Sequence, residues 1–247
     1  MRRHQGAIAA VSVALLVGLL VVVEASGSAS SARKACDWRR LSNGSFALRG
    51  RATGDVDGDG RQDGVSVVAR YGARPGCRFA LRVRLATGRL LVHRLADPLV
   101  GATAAVNREQ PWPRLLAVAK IDARRGDQLV VSVDAGASTV FAGVFAIRRG
   151  VLVRLRVVDG SFASGASSVA SAVDCWRGRA SGEVVSSFAF TDPHGWTVIR
   201  RIYRLAGQSF RTVLPRRPPF RTKSLIALPE FRGGELAVFP SCTISRP

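Results

Sequence analysis

Four aspartates are spaced at alternate positions in a single turn. In the stretch GDVDGDGRQDGVSVVARY, residues 54–71, Asp55, Asp57, Asp59 and Asp63 occupy positions 1, 3, 5 and 9 of a loop, and Gly60 occupies position 6. Alternate residues of a tightly turning loop point at one centre, so these carboxylates can converge. Convergent carboxylates repel one another unless a cation sits between them. Hard oxygen donors in this number suit Ca²⁺ and not Zn²⁺, which takes Cys and His. Position 7 is Arg61, where a backbone carbonyl is the ligand such loops use and the side chain is immaterial. Gly60 meets the need for a sharp turn at position 6. The competing reading is a turn that binds nothing, because Asp and Gly favour turns in any case.

The residue types after the loop decide which kind of calcium loop this is. An EF-hand needs a bidentate Glu at position 12 and a helix beyond it. Position 12 is Ser66, and Val65, Val67, Ala69 and Tyr71 alternate with Ser66, Val68 and Arg70, which is a strand. This DxDxDGxxD spacing running into a Val-rich strand resembles the calcium loops of the FG-GAP/VCBS repeat family of β-propeller proteins. The resemblance is carried by residues 54–71. It implies a Ca²⁺ site made by the side chains of Asp55, Asp57, Asp59 and Asp63 with the Arg61 carbonyl, and blades of about 60 residues.

The rest of the chain reads as all-β. Phe46–Leu48 is a short strand entering the loop. Three hairpins are expected: 79–85 with 90–95, 139–147 with 151–158, and 196–205 with 209–214. Their glycines, Gly88, Gly150 and Gly207, recur at about 60 residues. The expected fold is therefore a small or incomplete propeller-like array of about three to four β-meander units, at about 46–95, 115–158 and 183–214, or else a non-propeller β domain that borrows the loop. Asp122–Asp127, before a strand beginning at Gln128, sits where the first unit has its Asp loop. It reads as a degenerate copy, one residue shorter, with Arg124 and Arg125 where carboxylates would be. Residues 161–173, rich in Ser, Ala and Gly, read as a loop or a loosely patterned strand.

The chain is 247 residues long with a formal charge of +20, almost all of it from arginine. Such a field attracts nucleic acid, anionic lipid or acidic polymers. The N-terminus argues against nucleic acid. Arg2 and Arg3 precede an apolar run from Ala7 to Val23, followed by the small residues 25–32. This predicts an N-terminal apolar helix acting as a signal peptide, or as an uncleaved anchor, over residues 1–32, and an exported domain over 33–247. Cys36, Cys77, Cys175 and Cys242 all lie beyond that segment. In an exported chain they imply two disulfides with three connectivities. Cys36–Cys77 with Cys175–Cys242 is favoured, since each pair brackets one half of the chain. Trp38 and Trp176 stand beside cysteines, as packing against a disulfide requires.

Candidate contacts for a partner are Arg211, Arg216, Arg217, Arg221 and Lys223, set among prolines that keep the stretch on an exposed loop. A protein or an anionic envelope polymer outside the membrane is the expected partner class, with no nucleic acid, and with membrane contact only through the N-terminal helix. Catalysis is not expected: His93 and His194 are the only histidines beyond the targeting segment, and GxSxG, HExxH and P-loop patterns are absent. The sequence thus points to an exported envelope binding or scaffold module with a structural calcium site. The alternative is a small secreted hydrolase whose Ser, His and Asp meet only in space.

Overall fold

The computed structural model describes Cys36, Trp38 and residues 46–70, 73–97, 113–135, 138–158, 160–166, 169–213, 217–232 and 237–247. The expected N-terminal apolar helix, Tyr71, Trp112 and Arg216 lie outside these residues. Residues Cys36–Pro247 form one compact unit. Among the described residues no helix is long and apolar enough to cross a membrane.

Alternating apolar residues build a first antiparallel meander from β1 (Phe46–Gly54), β2 (Asp63–Arg70), β3 (Phe79–Arg84) and β4 (Leu90–Leu95), hydrogen-bonded in that order. Val65 and Val67 of β2 sit opposite Val83 and Leu81 of β3. All four are buried on one face. Val68 and Ala80 bury the other face under Trp38, which also packs against Cys36.

The second meander is β5 (Leu115–Ala119), β6 (Gln128–Ala135), β7 (Thr139–Arg148) and β8 (Val151–Val157). Its two-residue turn, Arg149-Gly150, has both residues at positive φ, 53° and 75°, the hand that matches strand twist in a tight hairpin. Leu115, Val118, Leu129, Val131, Phe145 and Leu152 pack against the Val65 face of the first meander in one shared core.

After β9 (Phe162–Ala166) comes a third meander: β10 (Val169–Cys175), β11 (Glu183–Asp192), β12 (Gly195–Ala206) and β13 (Ser209–Thr212). It starts at Val169, not at residue 183, because the Ser/Ala/Gly-rich stretch forms strands. Small side chains let backbones approach there: a Cβ on Gly165 would stand 2.0 Å from the Ser138 carbonyl oxygen and 2.7 Å from Thr139 Cα.

The meanders do not form separate blades, which is where the fold departs from the propeller expected. β13 pairs in parallel with β8 through Ser209–Arg156 and Phe210–Val157. β9 pairs with β10 on one edge and with the first half of β7 on the other, Phe162 opposite Ala142. The ring β7-β8-β13-β12-β11-β10-β9 therefore closes into a seven-stranded barrel. A ring this small is filled by side chains. Phe162 stands edge-on to Tyr203, Phe210 and Phe239, at centroid distances of 5.6, 5.0 and 5.6 Å.

The C-terminal segment covers the barrel. β14 (Phe220–Thr222) adds to β12, two 3₁₀ turns (Leu225–Ala227, Pro229–Phe231) lie over Ala170, Ala189 and Val198, and β15 (Thr243–Ser245) pairs with β5. Disulfides join Cys36 to Cys77 and Cys175 to Cys242. The pairing is the favoured one of the three, and two disulfides fit an oxidising compartment.

Candidate metal centre

β1 delivers the chain to Gly54 and β2 takes it up again at Asp63, so the Asp loop is held at both ends by one hairpin. Gly58 and Gly60 turn the chain at φ 81° and 85°. Within the loop, Asp55 accepts the N–H groups of Gly58 and Gly60 at 2.8 and 3.1 Å. Asp57 accepts from Asp59 N at 3.2 Å, and Asp59 accepts from Arg61 N at 2.8 Å.

Asp63 is fully buried. Its Oδ2 accepts Val56 N at 2.9 Å and Asp57 N at 3.3 Å, and its Oδ1 accepts Ala86 N in the β3–β4 turn at 2.8 Å. Asp63 therefore ties the loop to the neighbouring β3–β4 turn, a role that residue types alone did not reveal.

One carboxylate oxygen from each of Asp55, Asp57 and Asp63 lies within 4.8 Å of the others, so these three could hold a metal ion. Asp59 stands outside this triad, on the exposed arm of the loop. The Arg61 guanidinium donates to the Ala86 carbonyl at 3.3 Å. Burial pushes the Asp57 carboxyl above its ordinary range, and the charges of Asp63, Asp59 and Asp55 push the same way, against the Asp59 N–H bond. The donors are all hard oxygens, which fits a Ca²⁺- or Mg²⁺-type ion and not a thiolate or imidazole site.

The second loop makes matching bonds in the same register. Gln128 Oε1 accepts Ile121 N at 2.7 Å and Asp122 N at 3.3 Å, as Asp63 does for Val56 and Asp57. Gln128 thus stands for Asp63, Asp122 for Asp57, Arg124 for Asp59 and Lys120 for Asp55. The two loops are equal in length, which corrects the shorter loop expected.

With Lys120 at the first position, the copy carries its own cation. Its Nζ donates to the carbonyls of Arg124 at 2.8 Å and Gly126 at 3.4 Å and lies 3.9 Å from Asp127. Gly126 occupies the position equivalent to Arg61. Asp122 is held by Arg148 at 3.3 Å and Arg124 at 3.9 Å.

The loops stack. Asp127 N donates to the Asp55 carbonyl at 2.7 Å, and Asp55 N donates to Asp127 Oδ2 at 3.0 Å. Contact is close enough to require glycine on both sides: a Cβ on Gly58 would stand 2.7 Å from Gly126 N, and one on Gly126 2.4 Å from the Val56 oxygen. On the far side, the turn between β10 and β11 donates Ala180 N to Lys120 O and Gly182 N to Ile121 O, both at 2.8 Å.

The remaining candidates are dispersed. Arg221 pairs with Asp192 at 3.6 Å, Arg217 lies over the Trp176 ring at 4.9 Å, and Arg211 and Lys223 are exposed. Trp176 is flanked by arginines, with Arg200 5.5 Å from its ring. His93 is half-buried, its Nδ1 donating to the Leu152 carbonyl at 3.2 Å and its ring edge-on to Phe145 at 5.0 Å. His194 follows Asp192 in an exposed turn. Among the described residues neither imidazole is bonded to a serine hydroxyl. The chain matches no protein-family model, and no significant match is found among curated proteins or solved structures.

Proposed function

We propose that this chain is an exported binding or scaffold module of the cell envelope whose first loop holds one structural Ca²⁺ in the manner of FG-GAP/VCBS repeats. The observation that carries the reading is the convergence of Asp55, Asp57 and Asp63, which make no ion pair among the described residues, beside a same-register loop that carries its own cation, Lys120. Asp55, Asp57 and Asp63 would hold the ion, with the Asp59 side chain and Arg61 carbonyl completing the set. The ion supplies positive charge that removes their mutual repulsion and pins the loop against its neighbour. Export by the apolar segment before Cys36 places the domain where calcium is millimolar, enough for the 10⁻⁴ to 10⁻³ M affinities common in extracellular modules. The +20 charge supports an acidic polymer as partner.

The test is thermal unfolding of the oxidised protein in millimolar Ca²⁺ and in chelator. Ligand at one hundred times its Kd adds about 2.7 kcal/mol, a rise of several degrees. Equal midpoints in the two buffers would leave the loop as a turn and remove the calcium reading. Salt-insensitive behaviour on acidic polymers would remove the electrostatic part.

A further inference from the structure

The arginine stretch singled out in the sequence does not act as a unit, but a second basic feature is built across three segments of the barrel wall. A cavity of about 370 Å³ opens beside Trp176, lined by five arginines and a single carboxylate, that of Glu183. The arginines come from different places: Arg177 from the turn after β10, Arg200, Arg201 and Arg204 from β12, and Arg217 from the segment before β14.

Their states differ. Arg200 is neutralised from behind by buried Glu230, at 2.7 and 3.2 Å, and its guanidinium lies over Phe220 at 4.6 Å. Arg204 takes up Glu183 through two bonds of 2.6 and 3.2 Å to one oxygen. Arg177 is 3.9 Å from Glu183 and about three-quarters exposed. Arg217 has no carboxylate within ion-pairing distance among the described residues. The Trp176 ring lies within 5.5 Å of two guanidinium carbons, 4.9 Å from Arg217 and 5.5 Å from Arg200. Attraction to the ring's π-face holds these two like charges near one another. With Arg200 matched by Glu230, the Glu183 carboxylate faces Arg177, Arg204 and Arg217, so the cavity keeps a local positive excess.

We propose that this cavity binds a phosphate group of an acidic polymer, and that the polymer is gripped here and not by Arg211, Arg221 and Lys223; the proposal rests on the envelope-polymer reading above. A guanidinium fork saturates a planar carboxylate by itself. Arg177, Arg204 and Arg217 approach from three segments, and a tetrahedral oxyanion offers acceptor oxygens in as many directions. The apolar floor of Ile202 and Val213 lowers the local dielectric and strengthens the attraction.

The test is a titration of the oxidised protein with inorganic phosphate, with acetate as a planar control at equal ionic strength, and with a poly(glycerol phosphate) chain. The reporter is the Trp176 indole N–H resonance, assigned by its loss in Trp176→Phe. Phosphate and the polymer should move it and acetate should not. Arg177→Gln with Arg217→Gln should weaken phosphate binding at least about tenfold with the unfolding midpoint unchanged. Arg211→Gln with Lys223→Gln should leave it intact.

Equal responses to acetate and phosphate, or equal losses in both double variants, would mean diffuse charge and overturn the proposal. Retention of the polymer with an unmoved Trp176 signal would also overturn it, while leaving the polymer reading in place. A Trp176 response to inorganic phosphate without polymer retention would support the cavity as a phosphate site and remove the polymer reading.

Discussion

Asp55 and Asp127 are bound to each other twice, each through its backbone N–H: Asp127 N reaches the Asp55 carbonyl and Asp55 N reaches the Asp127 carboxylate. Among the described residues the first meander has no strand-to-strand ladder with the second, so these bonds, those of His93 to the Leu152 carbonyl and Arg89 to the Gly150 carbonyl, and the shared apolar core align them. Burial raises the Asp127 carboxyl above its ordinary range, with the Asp55 N–H and Lys120 opposing and the charges of Asp55 and Asp63 adding. The carboxylate is thus kept at an energetic cost, and the bond it makes is structural. Asp127→Ala leaves Asp55 N unpaired and should cost about 1–3 kcal/mol in urea unfolding. Asp127→Asn keeps an acceptor oxygen and should cost clearly less. Equal costs would show that charge, not the bond, matters at this position.

Calcium dependence separates the triad from its surroundings. Asp57→Ala should abolish the difference between midpoints in Ca²⁺ and chelator. In chelator it should be no less stable than the parent, because it removes one of three convergent carboxylates. Asp59→Ala should lower the calcium increment by less than Asp57→Ala does, since Asp59 lies outside the triad and only completes the set around the ion. Complete loss there would show that the loop tightens around the ion to bring in a fourth carboxylate. Asp122→Ala should leave the calcium increment untouched while lowering both midpoints, because it strands the Arg148 guanidinium.

What the sequence could and could not reveal follows from where each constraint lies. Local turn chemistry located all three hairpins within a residue or two, as at Gly88, Gly150 and Gly207. Apolar alternation located β2, β6 and β12 for the same reason. The strands β9 and β10 carry small residues selected by close backbone approach, and Ser, Ala and Gly have no periodic signature. Barrel closure rests on β8 with β13 and β7 with β9, pairings between segments distant in sequence. The Asp loop was legible because its ligand types are its pattern. Its copy was misaligned because Lys120 stands where an Asp would mark the start, and only the Gln128 bonds to Ile121 and Asp122 reveal the register. The Trp176 cavity draws on three segments, and no local pattern joins them.

The pH dependence of stability should carry a histidine contribution. Burial holds the His93 imidazole below its ordinary pKa of 6.5, with Arg154 adding and the Leu152 carbonyl opposing. The unfolded chain therefore binds more protons than the folded one below pH 6.5. The contribution is fully present above that pH and is lost as pH falls towards and through the folded value. His93→Gln cannot charge, so its midpoint should fall less than the parent's between pH 7.5 and 5.5. Parallel curves would place His93 among freely titrating groups.

The most buried ion pair among the described residues anchors the C-terminal segment to the barrel. Glu230 is 1% exposed and takes Arg200 through two bonds and Ser187 Oγ through a third, at 2.7 Å. Two charges taken from water gain little over an apolar pair of the same shape, but either one left alone is costly. Glu230→Ala should therefore cost about 3–5 kcal/mol. Arg200→Met with Glu230→Leu should recover most of that loss. Phe220 and Trp176 already flank the guanidinium, so the methionine would enter an apolar setting. Because Arg200 also lines the cavity, the double variant separates its two roles: stability should return while any phosphate affinity that depends on the Arg200 charge stays lost.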